Sequence, residues 1–285
     1  MKKCTSFDEY KVAMRAAKQA HGRTHSNLTL MSGEVKELIA CGDLELELDG
    51  RDQFFLFRQR PGYKQLYFIL DGTEEPFEIP SDCPVAVELP FNVGEDDPIP
   101  QYISEIVAQC EASGFSVDRR SHRMSLDMNV FESVMASSAL GQETSGDTGT
   151  KTITRLSPEH AAEMLVAMNE NFDYYWSYIP TPDEWDIAIS EGRVLCHMDE
   201  GGKPDGLIHF DVNGKTSELR HLLVLPSARG RGLSKPLVSE YIMQNKDRVS
   251  RFYLWMRDDN AAAAHVYGSL GYGYDGCRAI ELLKL

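Results

Sequence analysis

The stretch Leu222-Leu223-Val224-Leu225-Pro226-Ser227-Ala228-Arg229-Gly230-Arg231-Gly232-Leu233-Ser234 runs from an apolar strand into a helix through a loop holding two glycines and two arginines. Backbone amides in the first turn of a helix have no internal acceptor and lie at the positive end of its dipole. An anion placed there accepts several hydrogen bonds at once, and glycine lets it come close to the main chain. Pro236 has no N–H to donate and is best tolerated in an opening turn, so the helix starts close to Gly232 and the donor amides belong to residues around Gly230 to Lys235. Arg229 and Arg231 add positive charge. The loop suits phosphate, but an ordinary exposed strand-to-helix turn shows the same residues, and this segment alone leaves both readings open.

Upstream, residues 193–198, 205–212 and 218–225 read as three successive strands with turns at Glu200-Gly201-Gly202 and Asn213-Gly214, an antiparallel meander. Residues 152–155 suggest a further strand. Ser157-Pro158-Glu159 and Thr181-Pro182-Asp183-Glu184 each open a helix with an N-cap and a first-position proline, the second with a capping-box Glu. Downstream, the spacing predicts a helix over 233–245 with Leu237, Val238, Tyr241 and Ile242 on one stripe, then a strand over 252–256. A second helix comes next, with Asn260 as N-cap, Ala263, Val266, Tyr267 and Leu270 as its stripe and Gly271 at its end. The chain closes with a strand near 278–283.

Two linked signatures now stand together: Val-x-Pro-x-x-Arg-Gly-x-Gly at Val224 to Gly232, and Asn-x-x-Ala-x-x-x-Tyr-x-x-x-Gly-aromatic at Asn260 to Tyr272. Over residues 152–285 the chain resembles the GNAT superfamily of acyl-CoA-dependent N-acetyltransferases, with one departure: Ser234 stands where the family usually has Gly or Ala. The resemblance implies a mixed, mostly antiparallel sheet splayed between its fourth and fifth strands, with acyl-CoA in the opening. It implies main-chain bonds from Leu223, Val224 and Leu225 to the pantetheine arm. Arg229, Gly230, Arg231, Gly232, Leu233 and Ser234 would hold the pyrophosphate, and Asn260 and Ala263 would line the other wall. Acetyl-CoA is the implied acyl donor, and no metal is implied.

Acetyl transfer to an amine requires a neutral nucleophile, a polarised thioester carbonyl and a proton for the departing thiolate. Tyr267 lies in the family's general-acid position. Its bland alternative is a core Tyr on the apolar stripe of a helix. Glu218, six residues before Val224, is the first candidate for the base. On strict alternation it shares a face with Arg220, Leu222 and Val224, whereas His221, the second candidate, points the other way unless a bulge shifts the register. The aromatic cluster Phe172, Tyr174, Tyr175, Trp176, Tyr178 and Trp185 precedes the meander, where the family often covers its acceptor pocket. The acceptor expected is the primary amine of a small molecule or peptide. The alternative is a non-catalytic acyl-CoA sensor or interaction module.

The first half reads as helices over 8–20 and 33–41, strands over 44–49, 53–58, 65–70 and 84–90, a helix over 100–112 and a return strand or hairpin over 115–128. Its strand, helix, Gly-aromatic, strand outline echoes residues 252–283, but it has no Arg-Gly-x-Gly loop, and Val93-Gly94-Glu95-Asp96-Asp97 is acidic. The expected fold class is therefore α/β (α+β), two GNAT-like domains, each a mixed mostly antiparallel sheet flanked by helices. Residues 1–136 are a degenerate domain that has lost coenzyme binding, 137–150 a Ser/Gly/Thr-rich linker and 151–285 the acetyltransferase domain.

The chain of 285 residues is 42% apolar and 26% charged, which excludes a largely disordered or fibrous protein. It carries a net charge of −15, with 14 basic against 25 acidic side chains in residues 1–150 and 15 against 19 in the rest. Lys and Arg contacts to phosphates dominate nucleic-acid affinity, so nucleic acid is not an expected partner. Six cysteines stand singly, without a Cys-x-x-Cys pair, which argues against a disulfide scaffold or a zinc site. No run nears the roughly 18 apolar residues of a membrane span, and the N-terminus lacks a secretory apolar block. A cytoplasmic protein without membrane contact, monomer or homodimer, is the expectation.

Overall fold

The computed structural model describes residues 1–21, 24–73, 75–79, 81–142 and 152–285. Contacts divide the chain into two compact units, Met1–Ser121 with Gly276–Leu285, and His122–Asp275. Among the described residues no helix is long and apolar enough to cross a membrane.

The first unit opens with β1 (Lys2–Lys3), α1 (Phe7–Ala20), β2 (His25–Ser26) and α2 (Ser32–Cys41). Then come β3 (Leu44–Leu48), β4 (Phe54–Arg60), β5 (Tyr63–Leu70), β6 (Val85–Asn92), α3 (Gln101–Ala112) and β7 (Ser116–Leu126), the last crossing the unit boundary after Ser121. Ser6 caps α1 by accepting the Glu9 amide at 3.2 Å. Strands β3, β4 and β5 form an antiparallel meander, and β6 lies parallel to β5. Strict alternation on β5 sends Leu66, Phe68 and Leu70 against Ile103, Ile106 and Cys110 of α3, while Tyr67 and Ile69 face Tyr10, Ala13 and Ala17 of α1 and Val35 of α2.

The second unit contains α4 (Met128–Gln142), β8 (Ile153–Arg155), α5 (Ala161–Asn171), α6 (Pro182–Ser190), β9 (Val194–Met198), β10 (Pro204–Asn213) and β11 (Thr216–Val224). It continues through α7 (Ser234–Asn245), β12 (Arg251–Arg257), α8 (Ala261–Gly268) and the start of β13 (Tyr272–Lys284), which passes into the first unit after Asp275. The meander β9-β10-β11 is antiparallel and β12 is parallel to β11, the arrangement of β3 to β6 repeated. Thr181 and Glu184 form the capping box read from sequence. One face of this sheet packs Ile208, Phe210, Leu219 and Leu254 against Leu237, Val238 and Tyr241 of α7 and Tyr267 of α8. The other face packs Leu207 and Leu223 against Met164 and Met168 of α5 and Trp185 of α6.

Two expectations change. The first six residues of the expected connector at 137–150 belong to α4, and 143–151 lie outside the described residues. The compact units also do not follow a cut there: residues 122–126 of β7 go with the second unit, whereas Gly276–Leu285, expected to close the acetyltransferase domain, pair with β6 from Cys277 opposite Asn92 to Lys284 opposite Val85. Local composition shows where a chain loosens, but strand partners are chosen by long-range pairing that no local pattern encodes.

Candidate active site

The site is built on β11. Its ladder with β12 runs from Thr216 opposite Arg251 to Leu219 opposite Leu254 and ends there, although both strands continue for several residues. The parallel pair opens at that point, between the fourth and fifth strands of the unit, where the resemblance places the acyl donor.

A bulge stands at the same level. His209 of β10 pairs with His221 and Phe210 pairs with Leu219, so Arg220 has no opposite number. Bulges re-aim side chains. Ser217 and Leu219 face α7: the Tyr241 hydroxyl donates to Ser217 Oγ at 2.7 Å, and Leu219 joins the α7 core. Past Arg220 the faces exchange, with Leu222 and Val224 packing on the α7 core and Leu223 on that of α5 and α6. His221 is thereby brought to the face toward which Glu218 points, the condition under which it was a candidate.

Glu218 is held by two donors, Arg220 Nη1 to Oε1 at 2.9 Å and the Tyr253 hydroxyl to Oε2 at 3.1 Å. The Arg220 guanidinium lies 5.5 Å from the centre of the Tyr178 ring, and Tyr178 adopts a positive φ of 49°. Burial, with Glu218 alongside, pushes the Tyr253 phenol up to about 12. Glu218 has two lone-pair positions beyond these donors.

His221 is buried, and both its nitrogens are engaged. Nε2 donates to the Ser177 carbonyl at 2.7 Å, because a carbonyl can only accept. Nδ1 must then accept from His209 Nδ1 at 3.0 Å, which leaves His209 Nε2 an acceptor buried without a partner. The two rings stack at 5.3 Å, Phe172 meets His221 edge-on and Trp185 meets His209 edge-on. Burial first, and the neighbouring Arg220 second, lower the His221 pKa to about 3, so the imidazole is neutral at physiological pH. In this arrangement His221 fastens residue 177 to the sheet.

The loop after β11 passes a short 3-10 turn at Pro226–Ala228, and Gly230 and Gly232 take φ of 79° and 68°, left-handed values that favour glycine. A Cβ built on Gly230 meets nothing within 4 Å. Helix α7 begins at Ser234, its Leu237 amide donating to the Leu233 carbonyl at 3.1 Å, so the Ser234 and Lys235 amides precede the helical ladder. Arg229 is braced by Val224 O at 3.2 Å and Asn171 Oδ1 at 3.1 Å, and Arg231 Nη1 donates to Asp205 Oδ2 at 2.8 Å. Two arginines, left-handed glycines and first-turn amides are a donor set fitted to a diphosphate. Of the main-chain groups expected to serve pantetheine, the Leu225 amide donates to Asp205 O at 2.9 Å and Val224 O receives Arg229, while the Leu223 side chain is buried under α6.

On the opposite wall Asn260 caps α8, its Oδ1 accepting the Ala263 amide at 3.1 Å. Tyr267 is 7% exposed, packs edge-on to Tyr272 at 5.8 Å, and its hydroxyl makes no hydrogen bond among the described residues. Burial raises its pKa, so the phenol keeps its proton. The aromatic cluster divides: Trp185 is core, its Nε1 donating to Ala161 O at 2.9 Å, and Trp176 is buried, whereas Phe172 and Tyr178 border the Glu218 and His221 face and Tyr174 is exposed. Sequence reasoning missed the roles of Arg220, which holds Glu218 from the same strand at a bulge, and of Tyr253 and Asp205, whose partners lie on other segments.

Residues 161–272 match the Acetyltransferase (GNAT) family. Among solved structures, a GCN5-related N-acetyltransferase from Sphaerobacter thermophilus aligns over 96% of this chain and 90% of its own at 12% identity, with a TM-score of 0.56. A tandem GNAT protein from the clavulanic acid biosynthesis pathway aligns over 98% and 96% at 11% identity, also with a TM-score of 0.56. A GCN5-related N-acetyltransferase from Kribbella flavida aligns over 94% and 95% at 14% identity, with a TM-score of 0.52. No curated protein matches the chain in sequence. Residues 161–272 thus match the GNAT acetyltransferase family, and the chain shares the fold of these solved GNAT proteins.

Proposed function

We propose that the protein transfers an acetyl group from acetyl-CoA to the primary amine of a small molecule or peptide, and that only the second unit holds the donor. The observation that carries this reading is the opening of β11 from β12 after Leu219 and Leu254, with the Arg229 to Ser234 loop directly beyond it at the start of α7. The loop grips the diphosphate, and the opened strand lies beside the pantetheine arm. In the reaction the amine nitrogen bonds to the thioester carbonyl carbon, the carbon–sulfur bond breaks, the amine loses a proton and the thiolate gains one.

Tyr267 is the proton donor to sulfur. A buried phenol that keeps its proton and has no competing hydrogen bond among the described residues supports this role. Glu218 receives the amine proton, directly or through water. It is preferred to His221 because its carboxylate retains lone pairs, whereas the one lone pair of neutral His221 is taken by His209. A protein of this fold acts in the cytoplasm on this reading, as monomer or homodimer.

The test is release of free CoA thiol over a panel of amines, with Tyr267→Phe as the paired variant. Turnover in that variant falls by about 100-fold, within the usual range for losing a general acid, while calorimetric affinity for acetyl-CoA holds. Undiminished turnover removes Tyr267 from the role. A second reading, an acyl-CoA sensor, draws on the engagement of Glu218 by Arg220 and Tyr253. Tight acetyl-CoA binding with no amine in the panel consumed favours it.

A further inference from the structure

The β9/β10 ladder is irregular beside the coenzyme loop: Pro204 pairs with Met198 and Gly206 with His197, so Asp205 is skipped. Asp205 is 5% exposed, deep for a carboxylate, and both its oxygens are engaged. His197 Nδ1 donates to Oδ1 at 2.5 Å and Arg231 Nη1 donates to Oδ2 at 2.8 Å. Its main-chain carbonyl accepts the Leu225 amide at 2.9 Å, at the residue that leads into the loop. A single bulged residue thus ties the start of the loop through its backbone and one of the loop's arginines through its side chain.

A buried carboxylate next to a binding site for a dianion is electrostatically unfavourable unless it is neutralised and useful. Here His197 and Arg231 supply the donors. The guanidinium of Arg231 is half exposed, and a long side chain left to itself loses several rotamers when it docks on a ligand. Committing one of its five donors to Asp205 sets the plane of the fork before the ligand arrives.

We propose that Asp205, through Arg231, is a positioning residue for the coenzyme diphosphate. The inference rests on the reading of the Arg229 to Ser234 loop as the diphosphate site. Asp205 pre-orders the arginine, and His197 fixes the carboxylate that does so.

The experiment is calorimetry of the full chain with acetyl-CoA, set beside turnover with acetyl-CoA and with S-acetylpantetheine, which lacks the diphosphate. In Asp205→Asn the Kd and KM for acetyl-CoA rise by roughly fivefold to tenfold, the cost of ordering one long side chain. The kcat at saturating donor and kcat/KM for S-acetylpantetheine stay within about twofold, a split that general unfolding of the unit does not produce. Arg231→Gln loses affinity by at least the same factor, and adding Asp205→Asn to it brings no further loss, as two groups acting as a unit require. Should Asp205→Asn not fold, His197→Asn takes its place with the same expected split. Equal affinity in wild type and Asp205→Asn, equal losses with both donors, or multiplying losses in the double variant overturns the inference. A wild-type chain that binds no acetyl-CoA overturns the reading of the loop, and this inference falls with it.

Discussion

The two units open the same pair of strands and then treat the opening differently. In the first, β5 and β6 pair only at Lys64 with Val85 and Gln65 with Ala86, and the gap beyond is bridged by the side chain of Asn27. Its Nδ2 donates to Leu66 O at 3.0 Å on β5 and to Glu88 O at 3.1 Å on β6, and its Oδ1 accepts the Phe68 amide at 2.7 Å. Strand β2 lies along the far end of β5, and the Ser26 hydroxyl donates to Phe68 O at 2.9 Å. The chain satisfies its own fourth strand where the second unit leaves β11 to open beside a glycine-arginine loop. Residues 71–84, the counterpart of that loop and α7, contain Asp71, Glu75, Glu78 and Asp82 and no helix among the described residues. Splayed strands are thus a property of the fold, whereas a coenzyme site depends on the segment that leaves the fourth strand and on whether the chain has already filled the gap.

The sharpest way to break this contrast is to count coenzymes. Titration calorimetry gives one acetyl-CoA per chain, and the double charge reversal Arg229→Glu with Arg231→Glu removes binding by at least about 100-fold, since two charge-assisted contacts to a dianion become repulsions. Two molecules bound per wild-type chain, or affinity surviving the reversal, contradicts the assignment of the site to the second unit alone.

The bridging amide offers the next largest effect. Asn27→Ala leaves three main-chain groups, two of them buried, short of a partner and lowers stability in chemical denaturation by about 2–4 kcal/mol. Coenzyme stoichiometry stays at one, because the first unit still lacks a diphosphate loop. A stable Asn27→Ala variant means that the amide is incidental to closing the gap.

A smaller effect comes from the histidine pair on β10 and β11. Burial holds His221 down to about 3 and lowers His209 as well, while both titrate near 6.5 when unfolded. Between pH 6.5 and about 3 the unfolded chain therefore binds more protons, so the pair's contribution is complete above about pH 6.5 and is lost as pH falls. Its slope is up to about 1.4 kcal/mol per pH unit for each histidine. Replacing both, His209→Leu with His221→Leu, flattens the acid side of the stability profile relative to wild type. An unchanged slope means the imidazoles are not buried neutral.

Glu281 of the first unit runs the opposite way. Burial raises its carboxyl to about 7 despite Ser121 donating at 2.7 Å. Folding thus favours the protonated form, and the penalty grows as pH rises from about 4.5 to 7. Glu281→Gln gains roughly 1–3 kcal/mol over wild type at pH 8 and little at pH 4, read from denaturation midpoints at the two pH values. A gain that does not depend on pH points to packing instead.

Much of the second unit was legible residue by residue. The capping box at Thr181 and Glu184, the Asn260 cap and the meander turns are local signals, and each is present. The helix start read near Gly232 falls at Ser234. Less legible was anything set by two strands at once. A bulge adds one residue to one strand, so the Arg220 bulge that exchanges the faces of β11 leaves the apolar pattern of that strand nearly unbroken, and the skipped Asp205 looks like any polar residue near a turn.

From its sequence alone, then, this chain declares its meanders, its helix caps and the glycine-arginine turn after Val224, and its two linked motifs carry the GNAT resemblance, because caps, glycine positions and apolar periods depend on neighbours a few residues away. Three-dimensional pairing alone decided that the last ten residues complete the first unit, that Asn27 spans its parted strands, and that Glu218, His221 and Asp205 have their partners. Apart from the Arg220 to Glu218 pair, which lies within one strand, and the His197 to Asp205 pair, those contacts join residues 12 or more positions apart along the chain. Their energies exist only once the sheet has brought them together.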